Sequence, residues 1–547
     1  MTKSLSNRKG KNTFLRCAVW GVLLHTCSLL GAQSYWINQN HQFFNSEKLI
    51  YQPNTNFHTA IRNYEMRQSE ELFDMDSLLY AGIKTWGGKQ HIVRRFVNDN
   101  LLRWKTDDYD VSINPLFDFE LGKESQEGKN TYVNTRGAMV NGTIGKRFAF
   151  YADFYENQSK FPNYLRQIVI DNQIVPGQGK AKRQNYDQTS EVFDYSSASG
   201  YVSFDAGKHF NLQLGHGKNF IGDGYRSMLL SDVASNYPYF KINTSFGKIK
   251  YMAMWASMSH IVKNNSNDYR YPVKYGAFHF LDWNLGKRLS LGMFEAVIWA
   301  DYDERGVKRG FELEYANPFV FLRPVEYGIG SPDNMLLGLN AKYVMAQWVT
   351  VYGQFMFDEF KLDELTSDND WWANKYAFQI GVKTFDLFGI ENLRVQAEYN
   401  QARPYMYSHS DSISSYGHYN QPLAHPLGGN FKEGLVIVNY RCKRIYLRLQ
   451  AVKAMYGKDV DDGSYGKDIF KSNNSRINDY GNVIGQGLKT DLEFADASAS
   501  YLVNPRNNFN FTVGFRYRNE KNDQETLTSK FVYVGIRTSL RNLYYDF

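Results

Sequence analysis

The stretch FNFTVGFRYR (residues 509–518) alternates between two kinds of side chain. Phe509, Phe511, Val513, Phe515 and Tyr517 occupy one phase, and polar, charged or glycine residues occupy the other. A period of two residues predicts a β-strand with one apolar and one polar face. Ten residues is the length that a tilted strand needs to cross a membrane, whereas strands of globular proteins average about five or six. The same alternation recurs in residues 148–155, 349–358, 393–400 and 445–450.

The connections between the predicted strands are short at one end and long at the other. Tight turns are predicted at residues 141–146, 206–209, 246–248, 285–288, 441–443 and 504–507. Long polar connections are predicted at residues 158–200, 218–237, 259–271, 361–374, 403–433 and 455–489. This asymmetry and an even strand number are typical of outer-membrane barrels. We predict an all-β fold, a transmembrane antiparallel β-barrel of about 18 strands.

The composition agrees with a barrel that is apolar outside and polar inside. Aromatic residues make up 16% of the 547 residues, which is high for a soluble enzyme. The mean hydropathy is nevertheless −0.51, because the two faces of each strand average out. No segment has the roughly 18 uninterrupted apolar residues of a membrane helix.

The first 33 residues predict a cleaved signal peptide. A basic start is followed by a mostly apolar run at residues 17–30 and by small residues suited to cleavage. This segment holds five of the 63 basic residues and none of the 56 acidic ones, so the net charge of +7 falls to about +2 without it. We therefore expect no nucleic acid partner. Residues 34–108 are predicted to be a periplasmic, partly helical segment, and residues 109–547 the barrel in the cell outer membrane.

Neither a catalytic nor a metal-binding motif is present. The glycines of residues 215–224 lack the spacing of a Walker loop or a dinucleotide fingerprint. The acidic residues 459–462 do not match a calcium loop, and the histidines lack metal-ligand spacing. There is no Gly-x-Ser-x-Gly elbow. We therefore predict that the protein is not an enzyme and needs no cofactor and no metal.

Aromatic rings crowd together with polar groups in the long connections. Trp371 and Trp372 follow two aspartates, and Tyr225 and Tyr237 flank Arg226. Flat rings beside hydrogen-bonding groups suit sugars, which have an apolar face and a rim of hydroxyls. The alternative is an aromatic girdle at the membrane interface, with tyrosines packing the loops over the barrel mouth.

Several motifs resemble one known family. LGHGKNFIGDGYRSMLLSDVASNYPYFKI (residues 214–242) resembles the segment of Wzi-type capsule-assembly barrels in which a glycine-rich turn leads into Leu-Leu-Ser and an aromatic-Pro pair. NTNFHTAIRNY (residues 54–64), NPFVFLRPVEYGIGSPDNMLLGLN (residues 317–340) and YGHYNQPLAHPLGGNF (residues 416–431) are similar to the Bacteroidota branch of this family. That branch includes gliding-motility-associated surface proteins.

The resemblance implies an 18-stranded outer-membrane barrel with a small periplasmic helical part and loops that fold in to block the pore. It also implies a lectin-like, non-enzymatic protein that binds or organises capsular polysaccharide or exopolysaccharide at the cell surface. A gliding-motility or adhesion barrel that binds protein partners is the first alternative, and a diffusion porin is the second. The expected partners are outer-membrane lipid, surface polysaccharide, and motility or secretion machinery.

The end of the chain, RNLYYDF (residues 541–547), closes on a phenylalanine with apolar residues two and four positions before it. This pattern resembles the recognition tail of bacterial outer-membrane barrels. It predicts a last strand that reaches Phe547 and contact with the barrel-assembly machinery through Phe547.

Eleven residues are candidates for contacting a glycan or for packing a folded-in loop. Asp223 and Arg226 are expected to pair with each other, and residues 218–237 and 317–333 are expected to block the mouth. The candidates are Asp223, Tyr225, Arg226, Tyr237, Arg323, Glu326, Trp371, Trp372, Tyr405, Tyr416 and His418.

Overall fold

Eighteen strands in the computed structural model close into one antiparallel barrel. Each strand pairs with its neighbours in chain order, and the last closes on the first, with Arg537 opposite Asp118 and Phe531 opposite Glu124. The predicted fold class and strand number are therefore confirmed. The structure describes residues 40–65, 69, 72–85, 91–125, 128–184, 189–261, 271–303, 305–319, 325, 328, 333–359, 362–365, 369–460 and 462–547.

The barrel strands are β1 (Tyr109–Glu124), β2 (Asn130–Ile144), β3 (Phe148–Lys160), β4 (Phe193–Asp205), β5 (Phe210–Gly217), β6 (Tyr237–Phe246), β7 (Ile249–Ser259), β8 (Val273–Asn284), β9 (Leu289–Ala300), β10 (Asn334–Ala346), β11 (Val349–Phe357), β12 (Tyr376–Phe385), β13 (Leu393–Ala402), β14 (Phe431–Cys442), β15 (Ile445–Lys458), β16 (Leu488–Asn504), β17 (Phe509–Lys521) and β18 (Thr526–Arg537). The described helices are α1 (Asn40–Ile50), α2 (Met75–Leu79), α3 (His91–Val97), α4 (Asn163–Asn172) and α5 (Leu362–Leu365), with 3₁₀ turns at Leu313–Ala316, Leu387–Gly389, Ser412–Ser414 and Asn473–Ser475. Shorter strands lie at Leu102–Lys105, Lys182–Arg183, Gly417–His418 and Gln421–Pro422.

The alternation in the sequence becomes the two faces of the barrel wall. On β17, Val513 is 51% and Phe515 is 44% exposed on the outer face, while Asn510 and Thr512 are buried on the inner face. Exposed apolar side chains recur on the outer face of almost every barrel strand. Such a continuous apolar band is a liability in water but matches the hydrocarbon core of a bilayer. The band identifies the wall as membrane-spanning.

The two ends of the barrel differ, as the sequence predicts. At one end, which we call the turn end, connections such as residues 145–147 and 247–248 contain only a few residues. At the other end, the loop end, the connections include residues 218–236, 403–430 and 459–487. Two connections at the loop end, residues 125–129 and 522–525, are short because β1, β2, β17 and β18 pair nearly to their tips.

The segment after α1 enters the barrel from the turn end. Asn54 donates its backbone N–H to the carbonyl of Lys287 in a short turn, at 2.9 Å. The hydroxyl of Tyr51, directly after α1, reaches into the lumen and donates to Asp223. Glu47 on α1 pairs with the inward-facing Lys383 of β12, at 2.9 Å. Part of the predicted periplasmic segment is thus held inside the barrel by buried polar contacts.

The last ten residues differ from the sequence-based expectation. β18 ends at Arg537, and residues 538–547, which we call the lumenal tail, turn into the barrel instead of extending the strand. Tyr544 is only 4% exposed, and its hydroxyl donates to Asp232 at 2.7 Å. Arg541 pairs with the inward-facing Asp153 at 3.2 Å. The expected strand up to Phe547 is therefore wrong, while contact of Phe547 with the barrel-assembly machinery stays a prediction.

Candidate functional site

One loop fills the middle of the barrel. Residues 218–236, the lumenal loop, leave β5 after Gly217 and return to β6 at Tyr237. Every residue from 219 to 236 is buried. Met228, Leu229 and Leu230 pack with inward-facing apolar side chains of the wall in the largest apolar cluster. Since burial of each such side chain contributes about 1.5–3 kcal/mol, the loop is held firmly.

Two glycines allow the loop to bend close to the wall. Gly222 has a φ of +138°, and a Cβ atom there would lie 2.3 Å from Nε2 of Gln354. A Cβ atom on Gly224 would lie 2.5 Å from the carbonyl oxygen of Arg226. Gly222 therefore provides a positive φ, and both glycines allow close approach of the backbone to its neighbours.

Asp223 connects the lumenal loop to the N-terminal segment. Its carboxylate accepts hydrogen bonds from Tyr51 at 2.8 Å and Thr59 at 2.5 Å, and from Asn340 of β10 at 3.4 Å. Burial by itself would raise the pKa of Asp223. The nearby Lys342 ammonium and the hydrogen bond from Thr59 outweigh it and hold the pKa below its usual range. Asp223 is thus a buried, ionised anchor.

Arg226 lies between two carboxylates and does not pair with Asp223. Its guanidinium donates to Glu433 of β14 at 3.0 Å and to Asp546 of the lumenal tail at 3.1 Å. All three side chains are almost completely buried. The expected Asp223–Arg226 pair is therefore wrong, because the two side chains find separate partners.

Three carboxylates of this site were not among the candidates from the sequence. Glu398 of β13 accepts the backbone N–H groups of Tyr225 and Arg226. Glu433 and Asp546 hold the Arg226 side chain.

Glu398 lies on the polar phase of an alternating strand, so its inward orientation was readable from the sequence. Glu433 shares its phase with apolar residues such as Leu435 and Ile437, which gives no such signal. The partners of both carboxylates lie more than 170 residues away along the chain.

A second long connection, residues 403–430, lies over the lumenal loop, and we call it the outer loop. The hydroxyl groups of Tyr407 and Tyr416 donate to the carbonyls of Met228 and Leu229 at 2.8 and 2.7 Å. Ser231 donates its backbone N–H to the carbonyl of Leu423, also at 2.7 Å. The candidate Tyr416 is thus a packing residue between the two loops.

The candidate His418 connects the outer loop to the wall and to the lumenal loop. Its Nδ1 accepts the backbone N–H of Ser259 at 3.1 Å, so the Nε2–H donates to the carbonyl of Asn236 at 3.0 Å. Its ring also packs edge-on against Tyr237, with centroids 5.8 Å apart. Burial, with a smaller effect of the nearby Lys274, lowers the pKa of His418 to about 3.

Acid is expected to loosen the outer loop through His418. When the outer loop is released, His418 is protonated below its ordinary pKa of about 6.5. When the loop is docked, His418 stays neutral down to about pH 3. Docking therefore loses about 1.4 kcal/mol for each pH unit below about 6.5. The measurement is the rate of proteolysis within residues 403–430 of the folded barrel between pH 7 and pH 4.

His418→Gln is the matched variant, because a glutamine side chain accepts and donates the same two hydrogen bonds without titrating. It is expected to weaken the pH dependence. An unchanged pH profile in this variant would assign the effect to other groups.

The remaining aromatic candidates form a cluster at the loop end, which we call the mouth cluster. It consists of Trp371, Trp372, Arg403, Tyr405 and Arg476. The ring of Trp372 lies edge-on to Trp371 and to Tyr405, with centroids 6.1 and 6.0 Å apart, and the Arg476 guanidinium stacks over it at 4.3 Å. Both tryptophans are half-buried, while Tyr405 is buried. The structure therefore brings these three candidates together and leaves both tryptophan side chains partly exposed.

Arg323 and Glu326 lie outside the described residues. The expectation that residues 317–333 block the mouth also falls mostly outside them. The described part just before it, Tyr315, packs against Trp299 on the outward face of β9, with centroids 4.8 Å apart. Tyr315 therefore covers part of the outside of the wall.

Within the described ranges, no group of three His, Cys, Asp or Glu side chains could hold a metal ion. In that part of the chain, no helix is both long and apolar enough to cross a membrane.

The solved structures that this chain resembles include three bacterial proteins. Wzi of Escherichia coli, described as an outer membrane protein involved in group 1 capsule assembly and a carbohydrate-binding β-barrel, matches 93% of this chain and 100% of its own at 12% identity, with a TM-score of 0.50. OprD of Pseudomonas aeruginosa matches 79% of this chain and 96% of its own at 11% identity, with a TM-score of 0.42. OccAB2 of Acinetobacter baumannii matches 78% and 97% at 8% identity, also with a TM-score of 0.42.

At 12% identity the likeness to Wzi establishes a shared fold alone. No family model matches the chain, and no curated protein matches it. The resemblance of its motifs to the Bacteroidota branch stays a prediction.

Proposed function

We propose that this chain is a non-enzymatic outer-membrane surface protein that binds or organises capsular polysaccharide or exopolysaccharide through its loop end. The observation that carries the proposal is that the inside of the barrel and its loop end are built differently. The lumenal loop fills the inside, and the mouth cluster presents half-buried tryptophans beside arginines at the loop end. Rings beside hydrogen-bonding cations suit a sugar surface.

Two further points support this proposal. A diffusion porin needs a continuous aqueous channel, whereas residues 219–236 cross this lumen fully buried. The barrel shares its fold with Wzi, which is described as binding carbohydrate and taking part in capsule assembly in the outer membrane. The apolar outer band and the predicted signal peptide agree with placement in the outer membrane.

Replacement of both Trp371 and Trp372 by alanine is expected to weaken polysaccharide binding by roughly tenfold, because each stacked ring contributes about 0.5–1.5 kcal/mol. The measurement is a titration of the purified full chain with polysaccharide extracted from the surface of the source strain, followed by calorimetry. Trp104→Ala serves as the control, since Trp104 is 49% exposed but lies far from the loop end, just before β1.

The proposal would be overturned if both of the following results were obtained. One is the absence of any glycan binding by the purified wild-type chain. The other is an unchanged amount of surface-associated polysaccharide in a deletion strain.

A further inference from the structure

A polar cavity lies in the half of the lumen nearer the turn end. It is a cavity of about 380 Å³ between the lumenal tail and the inward faces of β13 to β18. Gly224 and Tyr225 of the lumenal loop and Asp546 of the tail bound it on the side of the loop end. Its volume falls within the range of about 300–1,000 Å³ that is typical of small-molecule sites. It is separate from the mouth cluster, which lies at the opposite end.

Positive charge dominates the wall of this cavity. Seven arginine or lysine side chains and four carboxylates line it, so cations are in excess. Four of the lining arginines pair with carboxylates: Arg394 with Glu47, Arg516 with Asp496, Arg537 with Glu120 and Arg541 with Asp153.

Arg62 also lines the cavity, and its guanidinium donates to the backbone carbonyls of Gly222 and Gly224. Arg448 of β15 has neither kind of partner among the described residues. Its one hydrogen bond to the described residues goes from Nη2 to Oε1 of Gln450 at 2.8 Å, and no described carboxylate pairs with it. Its side chain is half-buried and faces the cavity. A guanidinium with free N–H groups in an enclosed, water-accessible space is a strong and geometrically specific receptor for a carboxylate.

Rings and amides surround Arg448. Tyr446 lies two residues before it on the same inward face, and its ring is held edge-on by Phe44 with centroids 5.6 Å apart. The side-chain amide of Asn439 on the adjacent strand also lines the cavity and makes no hydrogen bond with the described residues. A flat ring, an unused amide and an unused guanidinium match the apolar face, hydroxyl rim and carboxylate of a sugar acid.

We propose that this cavity binds a carboxylate-bearing sugar, with Arg448 pairing with the carboxylate and Tyr446 stacking against the sugar ring. The site is additional to the polysaccharide surface proposed for the loop end. It would take a single sugar acid or the end of a chain, because the lumenal loop and the lumenal tail close the cavity above.

The test is calorimetry on the full chain in detergent with three probes: D-glucuronate, D-glucose and acetate. We expect D-glucuronate to bind at least about tenfold more tightly than either other probe, since D-glucose lacks the charge and acetate lacks the ring. Arg448→Gln is expected to weaken D-glucuronate binding about tenfold or more. Arg305→Gln removes an equal charge from a side chain that is 86% exposed, and it is the matched control.

Folding of each variant is checked by the usual shift of an intact barrel on unheated gels, and Tyr446→Ala gives a second, uncharged test of the same cavity. Three results would overturn the proposal: no binding of D-glucuronate, equal binding of D-glucuronate and acetate, or unchanged binding in Arg448→Gln. Loss of polysaccharide binding in the Trp371→Ala/Trp372→Ala variant with D-glucuronate binding retained would separate the two sites.

Discussion

Replacement of residues 218–236 by the dipeptide Asn-Gly is expected to convert the barrel into an open channel. Gly217 and Tyr237 face each other as a pair in the β5–β6 ladder, so a two-residue hairpin turn closes the gap without disturbing the strands. Barrels of 16–18 strands leave an aqueous channel when nothing fills them. Single-channel conductance in planar bilayers is expected to rise by about tenfold or more.

The lumenal loop is the element whose removal has the largest consequence, because the other lumenal segments rest on it. Asp223 binds Tyr51 of the N-terminal segment, and Asp232 binds Tyr544 of the lumenal tail. Without these carboxylates, both segments lose a buried partner and their positions in the lumen.

The matched control replaces residues 522–525 by Asn-Gly at the same end of the barrel. Lys521 and Thr526 are also directly paired, and the polar contacts of this turn are within the turn itself and with Lys458 of β15. We expect wild-type conductance for the control. Wild-type conductance in the folded 218–236 replacement would show that the loop does not close the pore.

Arg226→Met is expected to release the lumenal loop without removing it. The substitution leaves the buried carboxylates of Glu433 and Asp546 without their shared cation. Breaking a buried ion pair from one side typically costs about 3–5 kcal/mol. Amide hydrogen exchange of residues 219–236 within the folded barrel should accelerate by roughly two to three orders of magnitude, and channel openings should appear.

Two further variants separate charge from packing in this result. Arg226→Met combined with Glu433→Gln and Asp546→Asn removes the stranded charges and should recover part of the loss. Arg94→Met breaks an ion pair with Asp99 whose side chains are 61% and 40% exposed, and it should change stability by less than about 1 kcal/mol. Slow exchange of residues 219–236 in Arg226→Met would mean that apolar packing alone holds the loop.

The local pattern of the chain predicts the barrel well, because strand period is a property of neighbouring residues. The alternation in residues 509–518 becomes β17 with the predicted face outside. The same pattern misleads at residues 541–547, where alternation reflects a segment buried in the lumen. An alternating run indicates that every second side chain lies in an apolar or buried environment. Lipid outside the wall and packed residues inside the lumen both provide such an environment.

The grouping of the candidate residues was predicted in part, while their contact with a glycan stays a prediction. Asp223, Tyr225 and Arg226 lie together in the lumen, and Trp371, Trp372 and Tyr405 lie together at the mouth. Their partners were not predictable, since Arg226 finds Glu433 and Asp546 at separations of 207 and 320 residues. Nothing in one sequence assigns an inward carboxylate to one of several inward cations.

By itself, the sequence determined that this chain closes an antiparallel barrel of about 18 strands with short turns at one end and long loops at the other. Those features depend on side-chain alternation and on turn residues, which act over a few positions. Only the tertiary structure decided that residues 218–236 and 538–547 fold into the lumen, and that Arg448 faces a cavity with no partner among the described carboxylates. The physical reason is that a closed barrel brings inward side chains from all its strands into one small space, where pairing depends on distance across the lumen and not on separation along the chain.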